Sequence, residues 1–409
     1  MNASLQKSDA QTASPANARF DAVIDVVRSI YGEGPIALHR PLFEGNEKRY
    51  LIDCIDSNFV SSVGAKVVEF EQQLAAFTGA KHAIATVNGT AALHVALQLA
   101  GVERDCEVIS QALTFIATCN AIAYCGAHPV FVDVDRETLG MSPDALRAFL
   151  STQVERRGGQ AFNRGTGRRI AACLPMHSFG HPCRIEEIVA LCDEYGIPVV
   201  EDAAESLGSY RGGRHTGRSG KLATLSFNGN KVITTGAGGM ILTDDSELAL
   251  RAKHITTTAK IPHPYEFVHD ETGYNYRLPN LNAALGCAQM ERLPEFLRVK
   301  AEIAGRYAAF FDAHGMHFMK PPVGAVSNHW LNVLLLDSLA ERDAFLEYSN
   351  SRGVMTRPIW RLMTRLDMYR DCQHDGLENS RWLEDRVVNI PSSVPEHVLP
   401  NLTLQVPKS

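Results

Sequence analysis

The 409-residue sequence is short of the features that mark a membrane protein, a nucleic-acid binder or a disulfide scaffold. No apolar run approaches the ~18 residues that a bilayer span needs. Residues 1–19 are small and polar, without the apolar core of a secretory leader, and read as disordered. A net charge of −6 offers no basic surface for nucleic acid, although local positive patches can still hold a nucleotide diphosphate. The nine cysteines are odd in number and lack C-x-x-C spacing, which argues against a disulfide framework and a zinc site. Cys119, Cys125, Cys173 and Cys287 sit among apolar or small residues and read as core. These absences predict a reduced, cytoplasmic chain with no metal, no membrane contact and no nucleic-acid partner. What is present is 45% hydrophobic residues over a length that suits one large and one small domain.

Helical spacing predicts an amphipathic helix over residues 20–31, a helix from Asn46 and another over 65–78. From residue 82 to 243, apolar strands alternate with helices, which implies a largely parallel sheet covered on both faces. The predicted strands are 82–87, 107–109, 129–134, 170–176, 197–200 and 223–227. Helices over 118–124, 142–155 and 185–195 stand between them, and one over 248–256 follows. Residues 156–169, rich in Gly and Arg, read as a surface loop. Helices over 282–289, 294–313 and 339–351 and a strand over 330–336 complete the expectation. The division is a leader with a short helix (1–35), a large domain (36–293) and a small C-terminal α+β domain (294–409).

The candidate chemistry starts at Ser226-Phe227-Asn228-Gly229-Asn230-Lys231, where an apolar run breaks into a turn that presents one lysine. A lysine held by rigid scaffold can lose its proton and attack a carbonyl, which a solvated one at pKa ~10.4 does poorly. Taken alone, it reads more readily as a surface lysine after a hairpin. Upstream, the strand ending in Val199-Val200-Glu201-Asp202 puts a carboxylate where open α/β sheets carry their chemistry. Asp202 alone is a helix cap or an ordinary ion pair; with Lys231 it makes the pair that pyridoxal phosphate requires. The lysine forms the Schiff base and the aspartate keeps the ring nitrogen protonated. Asn88-Gly89-Thr90-Ala91 follows a strand and opens a helix, which is either an ordinary turn or an anion site. His177 ends another strand, as a substrate contact or as a hydrogen-bonded structural histidine.

Glu201-Asp202-Ala203-Ala204-Glu205-Ser206 and the run from Ser226 through Gly236-Ala237-Gly238-Gly239-Met240 resemble the nucleotide-sugar aminotransferases of the DegT/DnrJ/StrS type. The likeness spans residues 38–393. Within that family, LHRPLFEGNEKRY, SSVGAKVVEFE, TTTAKIPHP, GYNYRLPNLNAALGCAQ, RPIW and NIPSS are most similar to legionaminic acid pathway aminotransferases. The resemblance implies the aspartate aminotransferase-like fold-type I of pyridoxal phosphate enzymes. It also implies glutamate as amino donor and a homodimer with shared active sites. It assigns Lys231 and Asp202 to catalysis, Gly89, Thr90, Ala91 and Ser226 to the cofactor phosphate, and Phe115 to stacking on the ring. Asn275 would reach the partner's phosphate, and Arg277 the substrate phosphates. His177, His329 and Trp330, with Asn328 and Trp360, are candidate substrate contacts.

Glu205 departs from the family, which commonly carries Gln or His there. A carboxylate disfavours a phenolate nearby unless it is protonated or turned away. The acceptor implied is a UDP-linked 2-acetamido-4-keto-2,6-dideoxyhexose, with amination at C4 and use in surface amino-sugar biosynthesis. Amination at C3 and a GDP-linked sugar stay open. A dehydratase on the same fold is disfavoured because those relatives replace the lysine with histidine, and a non-catalytic relative is disfavoured by the intact Lys231 and Asp202.

Overall fold

The computed structural model describes residues 15–396. Residues 1–14, where most of the expected disorder falls, lie outside the described residues. Helix α1 (Pro15–Tyr31) starts five residues earlier than the periodicity predicts. Its buried Phe20, Val23, Ile24, Val27 and Ile30 recur at the three-to-four spacing of one helix face. Helices α2 (Glu47–Asp56) and α3 (Ala65–Thr78) follow, and α3 closes on Gly79 in the left-handed region (φ 75°) that glycine adopts without strain.

The central sheet is built from β1 (His82–Thr86), β2 (Glu107–Gln111), β3 (His128–Val132), β4 (Ile170–Leu174), β5 (Val200–Asp202), β6 (Leu222–Ser226) and β7 (Gly239–Thr243). Their order across the sheet is β1-β7-β6-β5-β4-β2-β3, with β4 and β5 joined by parallel bridges at Cys173–Val199 and Met176–Asp202. Only β7 runs antiparallel to its neighbours. Alternation fills both faces: Val108 and Leu174 join the core under α4 (Gly89–Leu99), α5 (Ile116–Tyr124) and the later helix over residues 246–256. Ile109 and Cys173 join the opposite core, under α6 (Pro143–Gln153) and α7 (Ile185–Tyr195). The expected mostly parallel sheet, covered on both faces, is the sheet observed.

Three expectations are corrected. The Gly- and Arg-rich stretch is not a loop throughout: Val154–Arg157 and Gln160–Asn163 pair as a hairpin. Gly158 and Gly159 turn it at positive φ (56° and 81°), and α6 gives way to it after Gln153. After α8 (Ser246–Thr256), the two helices predicted over 282–289 and 294–313 are one 34-residue helix, α9 (Asn280–Ala313), with Pro294 inside it. Proline removes one backbone bond. The helix runs on because Leu293, Phe296, Val299, Ile303 and Tyr307 are all buried along it.

The second sheet contains β8 (His317–Phe318), β9 (Asn332–Leu335), β10 (Arg357–Pro358) and β11 (Val387–Ile390), in the order β8-β9-β11-β10 and antiparallel throughout. Strand β11 is the third correction, since the sequence reading placed no element there. Helices α10 (Leu339–Ser351) and α11 (Glu378–Glu384) belong to this part. Phe20 of α1 packs on Phe345 of α10 with ring centroids 5.3 Å apart. Among the described residues no helix is long and apolar enough to cross a membrane.

Candidate active site

A cavity of about 670 Å³ opens at the carboxyl ends of β5 and β6 and is closed by the edge of the second sheet. It brings together Gly89, Thr90, Phe115, Asp202, Glu205, Ser226, Lys231 and Trp330, residues from five separate parts of the chain. Lys231 sits just after β6 because the chain turns at Asn228, two residues past the strand end, and the Lys231 N–H donates to the Asn228 carbonyl at 3.0 Å. Its Nζ donates to Glu205 Oε1 at 3.2 Å and lies 3.8 Å from the centre of the Trp330 ring. That indole is itself fixed, because its Nε1–H donates to the Asn230 carbonyl at 2.6 Å. One aromatic side chain therefore grips the lysine through its turn and through its ammonium.

Asp202 and Glu201 are neighbours on β5 and point to opposite faces, which gives them different surroundings. Asp202 is buried, accepting from the Thr118 hydroxyl at 2.8 Å and the Ala204 N–H at 3.1 Å. Burial pushes its carboxyl up, and the two donors and the Lys231 charge pull it back only in part. A cation arriving at the free side of this carboxylate is favoured. Glu205 is also buried and accepts from the Phe179 N–H at 2.8 Å. Burial raises its carboxyl to about 7, against the opposing pull of Lys231.

The turn at the start of α4 forms the other end. Asn88 caps the helix, its Oδ1 accepting from Ala91 N–H at 2.7 Å. Ala91, expected to hold phosphate, has therefore given its N–H to the cap, and the N–H groups of Gly89 and Thr90 remain for an anion. A Cβ at position 89 would stand 2.9 Å from Cβ of Ser226, so glycine is what lets the Ser226 hydroxyl reach this turn. Phe115, at the start of α5, is 47% exposed and presents its ring to the cavity.

Other expected residues lie elsewhere. Arg277 does not line the cavity: it is buried, with its guanidinium 2.9 Å from Glu71 and donating to the Ala85 carbonyl at 3.0 Å, and it ties α3 to β1. His177 is fully buried and takes the structural alternative, its Nε2 2.9 Å from Glu201 Oε2 while Nδ1 accepts from the Cys183 N–H. His329 stands beside the cavity wall with a backbone φ of 49° and faces His181 edge-on at 6.4 Å. Burial, then His181 and Lys300, hold its imidazole down at about 3. Asn275 is exposed and bridges to Thr257, outside this cavity.

The sequence reading missed Thr118, Met176, Phe179, Arg357, Arg361 and Asn389, all of which touch the site or line it. Thr118 carries a signal in retrospect, because it lies one helical turn after Thr114 and their hydroxyls bond at 2.8 Å. Among the described residues, the one group with metal-ligand proximity is His254, Asp270 and Glu271. Its members already bond one another and Arg251.

The donor set fits pyridoxal phosphate. It offers an anion cradle at Gly89, Thr90 and Ser226, a buried carboxylate for a ring nitrogen, an amine for a carbonyl and an aromatic face. Comparison with known proteins agrees. A protein of Bacillus subtilis named as the pyridoxal phosphate-dependent aminotransferase EpsN is 38% identical over 327 residues, covering 80% of this chain and 81% of that protein. GDP-perosamine synthase of Caulobacter vibrioides is 35% identical over 361 residues, covering 87% and 93%. The crystal structure of the aminotransferase TlmJ from Streptoalloteichus hindustanus superposes with a TM-score of 0.79 at 28% identity, covering 88% of this chain and 94% of that one. The fold is that of the fold-type I, pyridoxal phosphate-dependent aminotransferases. Residues 42–396 match the DegT/DnrJ/EryC1/StrS aminotransferase family, and the chain belongs to that family.

Proposed function

We propose that this aminotransferase moves an amino group from glutamate to the C4 ketone of a nucleotide-linked 4-keto-6-deoxy sugar. The observation that carries the reading is the convergence of Lys231, Asp202 and Glu205 with the Gly89–Ser226 cradle in one cavity. When bound there, pyridoxal phosphate supplies a carbonyl that takes up amines and a ring that accepts electrons from carbon. Gly89, Thr90 and Ser226 would hold its phosphate, and Asp202 would hold a positive charge at its ring nitrogen.

Thr118 and Ala204 fix the Asp202 carboxylate so that one direction stays free for that charge. Lys231, once its amine is free, takes and returns protons at Nζ. Trp330 keeps that amine in place from below. Glu205, accepting from Phe179 and Lys231, is the neighbouring proton store. Phe115 and Trp360 line the cavity with ring centroids 6.4 Å apart and give it an aromatic wall.

Motif resemblance favours a UDP-linked 2-acetamido-4-keto-2,6-dideoxyhexose, destined for a bacterial surface amino sugar. A GDP-linked acceptor is the second reading, supported by the likeness to GDP-perosamine synthase. We infer a cytoplasmic homodimer in which Asn275 serves the partner's site. Asn275 bridges to Thr257, and Thr257 lines a second, mainly apolar cavity of about 660 Å³ beside the exposed Phe59 and Val63. Such a patch suits a second copy of the chain.

Glutamate should change the visible absorbance of the cofactor-loaded protein. A panel of UDP- and GDP-4-keto-6-deoxy sugars, with NMR to locate the new amine, then identifies the acceptor. No absorbance change with glutamate or any other amino acid would end the reading.

A further inference from the structure

One wall of the cavity takes no part in the proton chemistry. Lys231, Asp202 and Glu205 come from the central-sheet side, whereas the opposite wall is the edge of the second sheet. That side carries Arg357 on the edge strand β10, Arg361 just beyond it and Asn389 on the adjoining β11. Arg357 stands directly across from Asn389 in the strand register, and directly paired residues share a face of the sheet.

Two observations say that this wall awaits a ligand. Nearby Arg365 is matched by Glu384 at 3.0 Å, but among the described residues neither Arg357 nor Arg361 has a carboxylate partner. The polar contact of Arg357 is the Thr356 carbonyl at 3.5 Å. Asn389 is 3% exposed, and its Oδ1 has no hydrogen-bond partner among the described residues. A buried oxygen left so is costly unless something entering the cavity donates to it.

We propose that Arg357 and Arg361 bind the diphosphate of the nucleotide sugar and that Asn389 accepts a hydrogen bond from a hydroxyl of the attached sugar. This rests on the aminotransferase reading above. A diphosphate offers two anionic groups to two forked guanidiniums, whereas a donor carboxylate needs only one. The position agrees as well. The carboxylate of an amino acid is one bond from the reacting carbon and must lie near Lys231. The diphosphate hangs from the anomeric carbon, three bonds from C4, and so belongs on a facing wall. The site thereby takes over the role that the sequence gave to Arg277.

Calorimetric titration of UDP and of GDP into the cofactor-loaded full chain tests this, using wild type, Arg357→Ala, Arg361→Ala and the double variant. Each single change is expected to weaken the preferred nucleotide by about tenfold and the double by about a hundredfold. Arg357→Lys should recover only part of the loss, because a point charge lacks the fork. Both arginines are exposed, so the fold does not depend on them. Wild type that binds neither nucleotide, or a double variant within twofold of wild type, overturns the proposal. So does a rise in the Michaelis constant for glutamate without loss of nucleotide, which would give the wall to the donor carboxylate. Failure of the aminotransferase reading would appear separately, as wild-type cofactor absorbance that no amino acid alters.

Discussion

Replacing Glu205 by Gln removes a charge that the fold holds at a cost, and the cost depends on pH. The carboxyl is buried with one hydrogen bond from Phe179 and one from Lys231. At 3.2 Å and an effective dielectric of ~20, the Lys231 attraction is about 5 kcal/mol, yet burial still carries the group up to about 7. Below pH ~4.5 the group is protonated in both folded and unfolded chains, and its stabilising contribution is fully present. As pH rises, the unfolded chain ionises first, and stability is lost until the folded group ionises near pH 7. A rise from about 4.5 to about 7, at ~1.4 kcal/mol per pH unit, amounts to about 3 kcal/mol. Gln accepts the Phe179 N–H equally well and does not ionise. Between pH 5 and pH 8, cofactor-free Glu205→Gln should gain roughly 2–3 kcal/mol relative to wild type, read by denaturant unfolding with tryptophan fluorescence. Parallel pH profiles would refute the reasoning. A variant that loses ground as pH rises would mean that the Lys231 ion pair outweighs burial.

Lys231→Ala should purify without covalently held cofactor and without turnover; mass spectra after borohydride reduction and an activity near that of wild type are the supporting and the opposing results. Gly89→Ala puts a methyl 2.9 Å from Cβ of Ser226 and should weaken pyridoxal phosphate binding by about tenfold in a fluorescence titration. Unchanged affinity would move the phosphate away from this turn. Asn275→Asp should release cofactor faster on dialysis, through repulsion of the partner's phosphate. Equal retention would place Asn275 outside both sites.

The sequence made the chemistry legible where a residue's surroundings are local. Lys231 follows an apolar strand broken by Asn-Gly-Asn, and Asp202 ends another, so their places at strand ends were readable locally, while their pairing needed both segments together. Glu205 was visible as an oddity three positions on, but its contact with Lys231 depends on how two strand ends approach. Arginines were the failure. Nothing near Arg277 says that its guanidinium meets Glu71, 206 positions earlier, and nothing near Arg357 says that it has no such partner. Asn389 was hidden for a related reason, since β11 is four residues long and takes its place only by pairing with β9 and β10.

The two sheets divide the labour of the cavity. Residues 88–231 bring the cradle, the carboxylates and the lysine, and residues 330–389 bring the tryptophan wall, the arginines and Asn389. Between them runs α9, which has buried positions from Asn280 to Phe311 and is fixed at Lys300, whose Nζ donates to the Trp330 carbonyl at 3.3 Å. Trp330 is where the halves meet, touching Lys231 on one side and standing just before β9 on the other. The proton transfer proposed for this cavity needs the lysine and carboxylates within tenths of an ångström, so on that reading the central sheet tolerates little change around them. The second sheet only has to present donors to an anion and a sugar. Exchange of side chains along β10 and β11 can therefore alter which nucleotide sugar is accepted while Lys231, Asp202 and their partners stay as they are.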